Sequence, residues 1–333
     1  MAYTTIDDPS AYFKVQLYTG TGSSQAVTFD DTDTDMSPNL VIIKVRDAVH
    51  PAEIYDTVRG VTKRMYVGDT DAETTNAEGL TAFGSDGFTV GTQDHVNEDT
   101  KLVVSWNWNE SATSGMDIVG YTGTGSARTI SHSLSAVPHF MVVFNRDSAM
   151  AHSVYHHKIA SDPETDRIML DESSASEDDS GIWNDEAPTS SVFSLGTSSS
   201  TNTNTDDYVI YLFSEKQGFS KFSSFTGTES ATTAPFIYTG FRPSTIIFKP
   251  DASANWTIVD TTRNTVNPVA DKTINLDLSA GNEHDGSADL DILSNGFKIR
   301  NANTDTNYSG NIIYAAWAEA PFVNSNGVPC NAR

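Results

Sequence analysis

The chain has 333 residues, with 44 acidic side chains against 20 basic ones and a formal net charge of −24. A surface of that sign repels phosphate backbones and anionic lipid headgroups, which argues against nucleic-acid and membrane-surface partners. A single cysteine, Cys330, excludes an intramolecular disulfide.

Residues 1–10 lack the basic and apolar regions of a secretory signal and are expected to form an attachment segment made in a cytoplasm. Beyond them one paragraph of sequence occurs three times. Its copies begin at Tyr18-Thr19-Gly20-Thr21-Gly22, Tyr121-Thr122-Gly123-Thr124-Gly125 and Phe225-Thr226-Gly227-Thr228, offset by 103 and 104 residues. Each start is followed by a proline-led apolar run, at Pro38, Pro138 and Pro243. A phenylalanine strand comes next, at Gly87-Phe88, Val192-Phe193 and Gly296-Phe297, and then a closing aromatic strand. Four landmarks in one order define a tandem repeat. The predicted organisation is module one over 11–115, module two over 116–217, module three over 218–321 and a polar tail over 322–333.

Short β-branched and aromatic runs broken by Gly, Pro, Asn and Asp fill each module, and helix-period runs are absent. The fold class is therefore all-β, with three tandem β-sandwich modules, jelly-roll-like in strand number. A repeat of this length can bury its own core, so independent or loosely docked domains are expected. The apolar run after each proline reads as a central strand buried on both faces. Residues 162–186 of module two hold ten acidic residues against a lone Arg167, which suggests a solvated loop.

The chemistry-bearing residues are few. Asp56 with Arg59, and Asp260 with Arg263, recur three residues apart in modules one and three, the geometry of a charge-assisted bond that pins a turn. Module two carries Tyr155, His156, His157 and Lys158 there instead. His152 and His156 alternate with His157 across a strand, so at most two could share a metal, and ligand contact by Tyr155, His156 and His157 is the functional alternative. Asp31, Asp33 and Asp35 alternate like the opening of a calcium loop, but Met36 and Ile42 stand where an EF-hand needs Gly and Glu. That leaves only a looser calcium site. Trp106 and Trp317 read as equivalent core residues of the closing strands. Trp183, in the acidic segment, reads as an exposed aromatic contact for a ligand. No nucleophile elbow, phosphate-binding glycine loop or zinc-protease motif occurs, so neither an enzyme nor a cofactor is expected.

Several of these stretches carry a resemblance: Met1-Ala2-Tyr3-Thr4-Thr5-Ile6, Val58-Arg59-Gly60-Val61, Ser85-Asp86-Gly87-Phe88-Thr89-Val90-Gly91 and Ser105-Trp106-Asn107-Trp108. Ser294-Asn295-Gly296-Phe297-Lys298-Ile299-Arg300 and Tyr314-Ala315-Ala316-Trp317-Ala318-Glu319-Ala320-Pro321 extend it to the third module. Through them the chain resembles a family of repeat-containing, tail fibre-like structural proteins of bacteriophages that infect marine bacteria. The resemblance implies a non-enzymatic virion component, a tail fibre or tail-associated protein whose modules touch the host surface. The alternative is a capsid-surface or scaffold protein that docks other virion proteins. The partners so implied are other virion proteins and a host glycan or protein; the unpaired edges of sandwich modules add the expectation of further copies of the chain, in a homotrimer if it is a fibre.

Overall fold

The Thr-Gly turn that opens each repeat is dictated by a close backbone approach. A side chain on Gly20, Gly123 or Gly227 would stand 2.1, 2.1 or 2.3 Å from the carbonyl oxygen of Glu98, Thr203 or Tyr308. Those carbonyls follow three equivalent four-residue helical turns, Asp94–Asn97, Ser199–Asn202 and Thr304–Asn307. Each turn ends in a fully buried asparagine. Asn97, Asn202 and Asn307 accept the amide of Thr21, Thr124 and Thr228 at 2.9, 2.9 and 2.8 Å. Their Nδ2 groups donate to Gly91, Gly196 and Asn301 carbonyls at 2.6, 2.7 and 2.6 Å. One buried amide thus satisfies backbone groups from two crossing segments, which a buried loop otherwise leaves unpaired.

The computed structural model describes residues 3–29, 34–265, 267, 272–278, 283 and 289–331. The chain is all-β, with 42% strand and 6% helix, and all named strand pairs are antiparallel. In module one the large sheet runs Phe13–Thr19, Leu102–Trp108, Leu40–Val45, Glu53–Asp56, Lys63–Tyr66, Thr74–Thr75. A small sheet of Gln25–Thr28, Gly87–Val90 and Leu80–Phe83 covers one face of it. Module two repeats the order with Met116–Thr122, Asp207–Phe213, Phe140–Asn145, Ser153–His156, Asp166–Met169 and Glu177–Asp178, and pairs Arg128–Ser131 with Val192–Leu195. In module three Ser220–Thr226, Asn311–Pro321, Phe241–Pro250, Thr257–Asp260 and Ile274–Asn275 form the large sheet. Phe236–Tyr238, Gly296–Ile299 and Leu290–Leu293 form its small one.

The proline-led strand is buried on both faces because each face has a different neighbour. Val41, Ile43 and Val45 pack on Val27, Phe88 and Val90 of the small sheet, inside the module. The alternate residues Leu40 and Ile42 face away and join a cluster drawn from all three modules, with Phe140, Val142, Phe213, Phe248 and Trp317. The three large sheets therefore meet back to back around a common axis, with the small sheets outside. This corrects the expectation of independent domains: a module removed from the ring exposes the apolar face of its large sheet.

On the axis Trp108, Phe213 and Trp317 form an edge-to-face triangle, with centroid distances of 6.3, 5.6 and 5.3 Å. Register makes these three equivalent, since each closing-strand ring opposes the start of the proline-led strand: Leu40, Phe140 and Thr245. Trp106 is instead the counterpart of Tyr211 and Ala315, so the pairing of Trp106 with Trp317 read from sequence is shifted by two residues. Both lie in the core. Beside the triangle remains an apolar cavity of about 50 Å³.

One segment differs from its sequence reading. The acidic stretch of module two folds, because Ile168, Met169, Leu170, Ile182 and Trp183 are interleaved with its charges and are buried. Residues 3–10 lie along the body: Thr4 donates to the Gln217 carbonyl at 2.8 Å, Tyr3 to that of Gly240 at 2.7 Å, and Ile6 enters the common core.

Candidate functional site

The repeated Asp–Arg pairs lie at the seams between modules. Asp56 and Arg59 form an ion pair with both side chains fully buried. Tyr211 of module two donates to Asp56 Oδ2 at 2.8 Å. The Arg59 guanidinium also donates to the Ile54 carbonyl at 2.8 Å and lies 3.5 Å from Glu73, which Arg146 of module two grips from across the seam at 2.9 and 3.0 Å. Burial opposes the charge on Arg59, but Tyr211, Asp56 and Glu73 outweigh it and raise its pKa. The seam between modules three and one has the same plan. Arg263 donates to Asp260 at 2.5 Å, Trp106 Nε1 donates to Asp260 at 3.2 Å, and Glu283 joins Arg263 at 3.3 Å to Arg46 at 2.7 Å. Asp56 is thus paired with Arg59 and Asp260 with Arg263, and each pair also holds a side chain of another module.

The third seam replaces the ion pair with imidazoles. His156 stands where Asp56 and Asp260 stand, His157 where Thr57 and Thr261 stand, and Ile159 where the arginines stand. His156 Nε2 donates to the Tyr314 carbonyl at 3.2 Å while its Nδ1 accepts the Lys158 amide at 3.2 Å. His157 donates to the Phe222 carbonyl at 2.6 Å, and His139 Nδ1 accepts the Glu215 amide at 3.1 Å. Burial pushes His156 down to about 3 and His157 down to about 4, so both are neutral at pH 7. Ser176 binds Asp251 and Lys249 binds the Ser173 and Ser174 carbonyls, completing this seam.

The ligand-contact reading of Tyr155, His156 and Trp183 is overturned by their burial. Tyr155 and Trp183 stack edge to face at 5.8 Å in the core of module two, and His156 is 1% exposed. Trp183 is the last residue of a helical turn capped by the Asp179 carboxylate, which folds the acidic stretch inward. His157 keeps a partly exposed ring but spends it on the seam. Of the calcium candidates, Asp31 and Asp33 lie outside the described residues and Asp35 is exposed. Among the described residues no group of three His, Cys, Asp or Glu is placed to hold a metal ion, and no helix is long and apolar enough to cross a membrane.

Sequence reasoning missed two clusters. Glu53 is fully buried where modules two and three have Ser153 and Thr257, and it accepts from Gln93, His95, Arg64 and Tyr55 at 2.6, 3.0, 3.3 and 2.5 Å. Gln93, His95 and Arg64 meet on Oε1 and Tyr55 on Oε2, so this group latches module one together. The second cluster is on the surface. Phe236 and Tyr238 are 45% and 53% exposed on the outer face of the small-sheet edge strand of module three. Register aligns them with Ala26 and Thr28 in module one and with Thr129 and Ser131 in module two. Tyr238 borders an open groove of about 350 Å³ with Tyr3, Glu215, Gln217 and Lys221. The sequence signal was available: a β-edge position that is Thr or Ser in two repeats and Tyr in the third.

A comparison with curated proteins gives no match. A family model described as Domain of unknown function (DUF7483) matches residues 8–321. That match spans all three modules, the seams and the axis, and the chain belongs to this family.

Proposed function

We propose that this chain is a non-enzymatic virion structural protein of a bacteriophage, a tail fibre or tail-associated part that presents β-modules to the host surface. The observation that carries the reading is the closed three-module ring. Every Asp, Arg and His singled out at the strand ends is spent on joining modules, and the outward small sheets are left for contact. A core shared by all three modules joins them into one body, which suits display on a particle. The resemblance to tail fibre-like proteins points the same way. Module three, with its exposed aromatic strand, is the host-facing end in this reading. Labelling intact virions with an antibody to the chain and imaging them tests it; label on extended tail structures is expected, and unlabelled particles overturn it.

A second reading, a capsid-surface or scaffold protein docked on other virion components, draws on the pseudo-threefold ring itself. One chain that copies a trimer in outline matches a partner surface with threefold symmetry. Label over the capsid lattice favours it. Sedimentation of the purified protein, with a count of copies per particle, separates a homotrimer of these chains from a chain that acts as its own trimer.

A further inference from the structure

We infer that the groove between Tyr3 and Tyr238 binds a neutral or N-acetylated oligosaccharide, with one sugar ring stacked on Tyr238. The inference deepens the host-surface reading and rests on it for the source of the saccharide.

The groove departs from the repeat where a ligand would need it to. Two of three modules close the outer face of this edge strand with Thr and Ser, at Thr28 and Ser131, and module three alone has Tyr238 there. An exposed aromatic pair costs solubility that Thr or Ser would spare, so its presence calls for a contact. Tyr238 is held for the task. Its hydroxyl meets that of Tyr3 at 3.2 Å, and Tyr3 is fixed by the Gly240 carbonyl at 2.7 Å and by Phe322 edge to face at 6.3 Å. A ring immobilised in advance loses little entropy on binding.

The remaining walls are polar in the way hydroxyl-rich ligands require. Gln217 is exposed and offers an amide with donor and acceptor side by side. Lys221 and Glu215, which also line the groove, form a 3.0 Å ion pair, with the other Glu215 oxygen accepting the Phe222 amide at 3.0 Å. That pair leaves the groove close to neutral within a chain of charge −24. The overall field therefore disfavours acidic polysaccharides and leaves neutral or N-acetylated ones. An aromatic face takes the apolar side of a pyranose, and the amide and the ion pair take its hydroxyls.

The test uses the full chain against an array of chito-, malto- and manno-oligosaccharides, with heparin oligosaccharides as the acidic control. Hits are quantified by calorimetry. At least one neutral or N-acetylated oligosaccharide is expected to bind with Kd of roughly 0.1–1 mM, the strength open to a shallow groove with one stacking ring. Tyr238→Ala should weaken it at least tenfold and Gln217→Ala about threefold, while Tyr238→Trp retains it. Both positions are exposed, so the melting temperature should hold in each variant. No binding by the wild-type chain, preference for heparin, or binding unchanged in Tyr238→Ala overturns the inference. Saccharide binding through Tyr238 in a chain absent from virions sinks the virion reading and leaves the groove. Virion labelling without saccharide binding does the reverse.

Discussion

Arg263 is buried, with Asp260, Glu283 and the Ile258 carbonyl around its guanidinium and the Trp106 ring 5.4 Å away. Removing it leaves Asp260 buried with its charge uncompensated. Arg263→Ala should therefore destabilise the protein by about 3–5 kcal/mol, whereas an exposed ion pair such as Arg300–Asp291 would cost less than about 1 kcal/mol. Chemical denaturation of both variants checks the contrast, and equal losses would refute it. A similar loss without an ionic component is expected at the axis. Trp317→Ala deletes one side of the aromatic triangle and enlarges the existing cavity, at a cost of about 3–5 kcal/mol. The seam residues were legible as pairs because Asp and Arg recur at fixed spacing. Their partners Tyr211 and Trp106, and Arg146 on Glu73, were not, because each lies more than 70 residues away in another module.

At the scale of elements, the three seams differ in how they respond to acid. Across the seam of modules two and three, His139 and His156 use Nδ1 as an acceptor for a backbone amide. Protonation puts a hydrogen there and turns each bond into a clash of donors. Burial lowers the folded-state values of His139, His156 and His157 below that of a free imidazole. The unfolded chain then binds more protons from about pH 6.5 downward, and stability falls through that window until His157 and His156 titrate near 4 and 3. Glu215, 4.0 Å from His157, partly offsets this, while Lys158 and Lys221 add to it. His156→Gln should shrink the drop in melting temperature between pH 7 and pH 4; an unchanged drop would locate the acid-sensitive groups elsewhere.

The connection that leads into module two behaves oppositely. Burial, then the neighbouring Asp117, raises Glu110 to about 7. Below that value the folded state binds the extra proton, so this group adds stability as pH falls from about 7 towards the ordinary glutamate range. Glu110→Gln keeps an acceptor for the Ile118 amide and should raise the melting temperature at pH 8 while flattening that gain. Such coupling was invisible in the sequence, where Glu110 and Asp117 fall in different modules on either side of the boundary after residue 115.

For the whole molecule, the common core means the modules stand or fall together. The full chain is expected to unfold in one calorimetric transition, and residues 116–217 expressed alone should bind a hydrophobic dye, because Ile118, Phe140, Val142, Phe144, Tyr211 and Phe213 lose their cover. Three separate transitions, or a well-folded isolated module, would contradict the shared core. The sequence by itself determined the repeat, the all-β class and the turns. These are local facts, set by the close approach that demands Gly20, Gly123 and Gly227 and by the strand period of the apolar runs. The buried asparagines at 97, 202 and 307 recur at a constant offset of 105 and were open to the same reading. Only the tertiary structure decided that the large sheets face one another. A strand apolar on both faces reads alike whether its second neighbour is a sheet of its own module or of the next. Burial likewise decided the fate of Trp183 and His156: composition marks a segment as acidic, but the few apolar residues within it determine whether it folds inward.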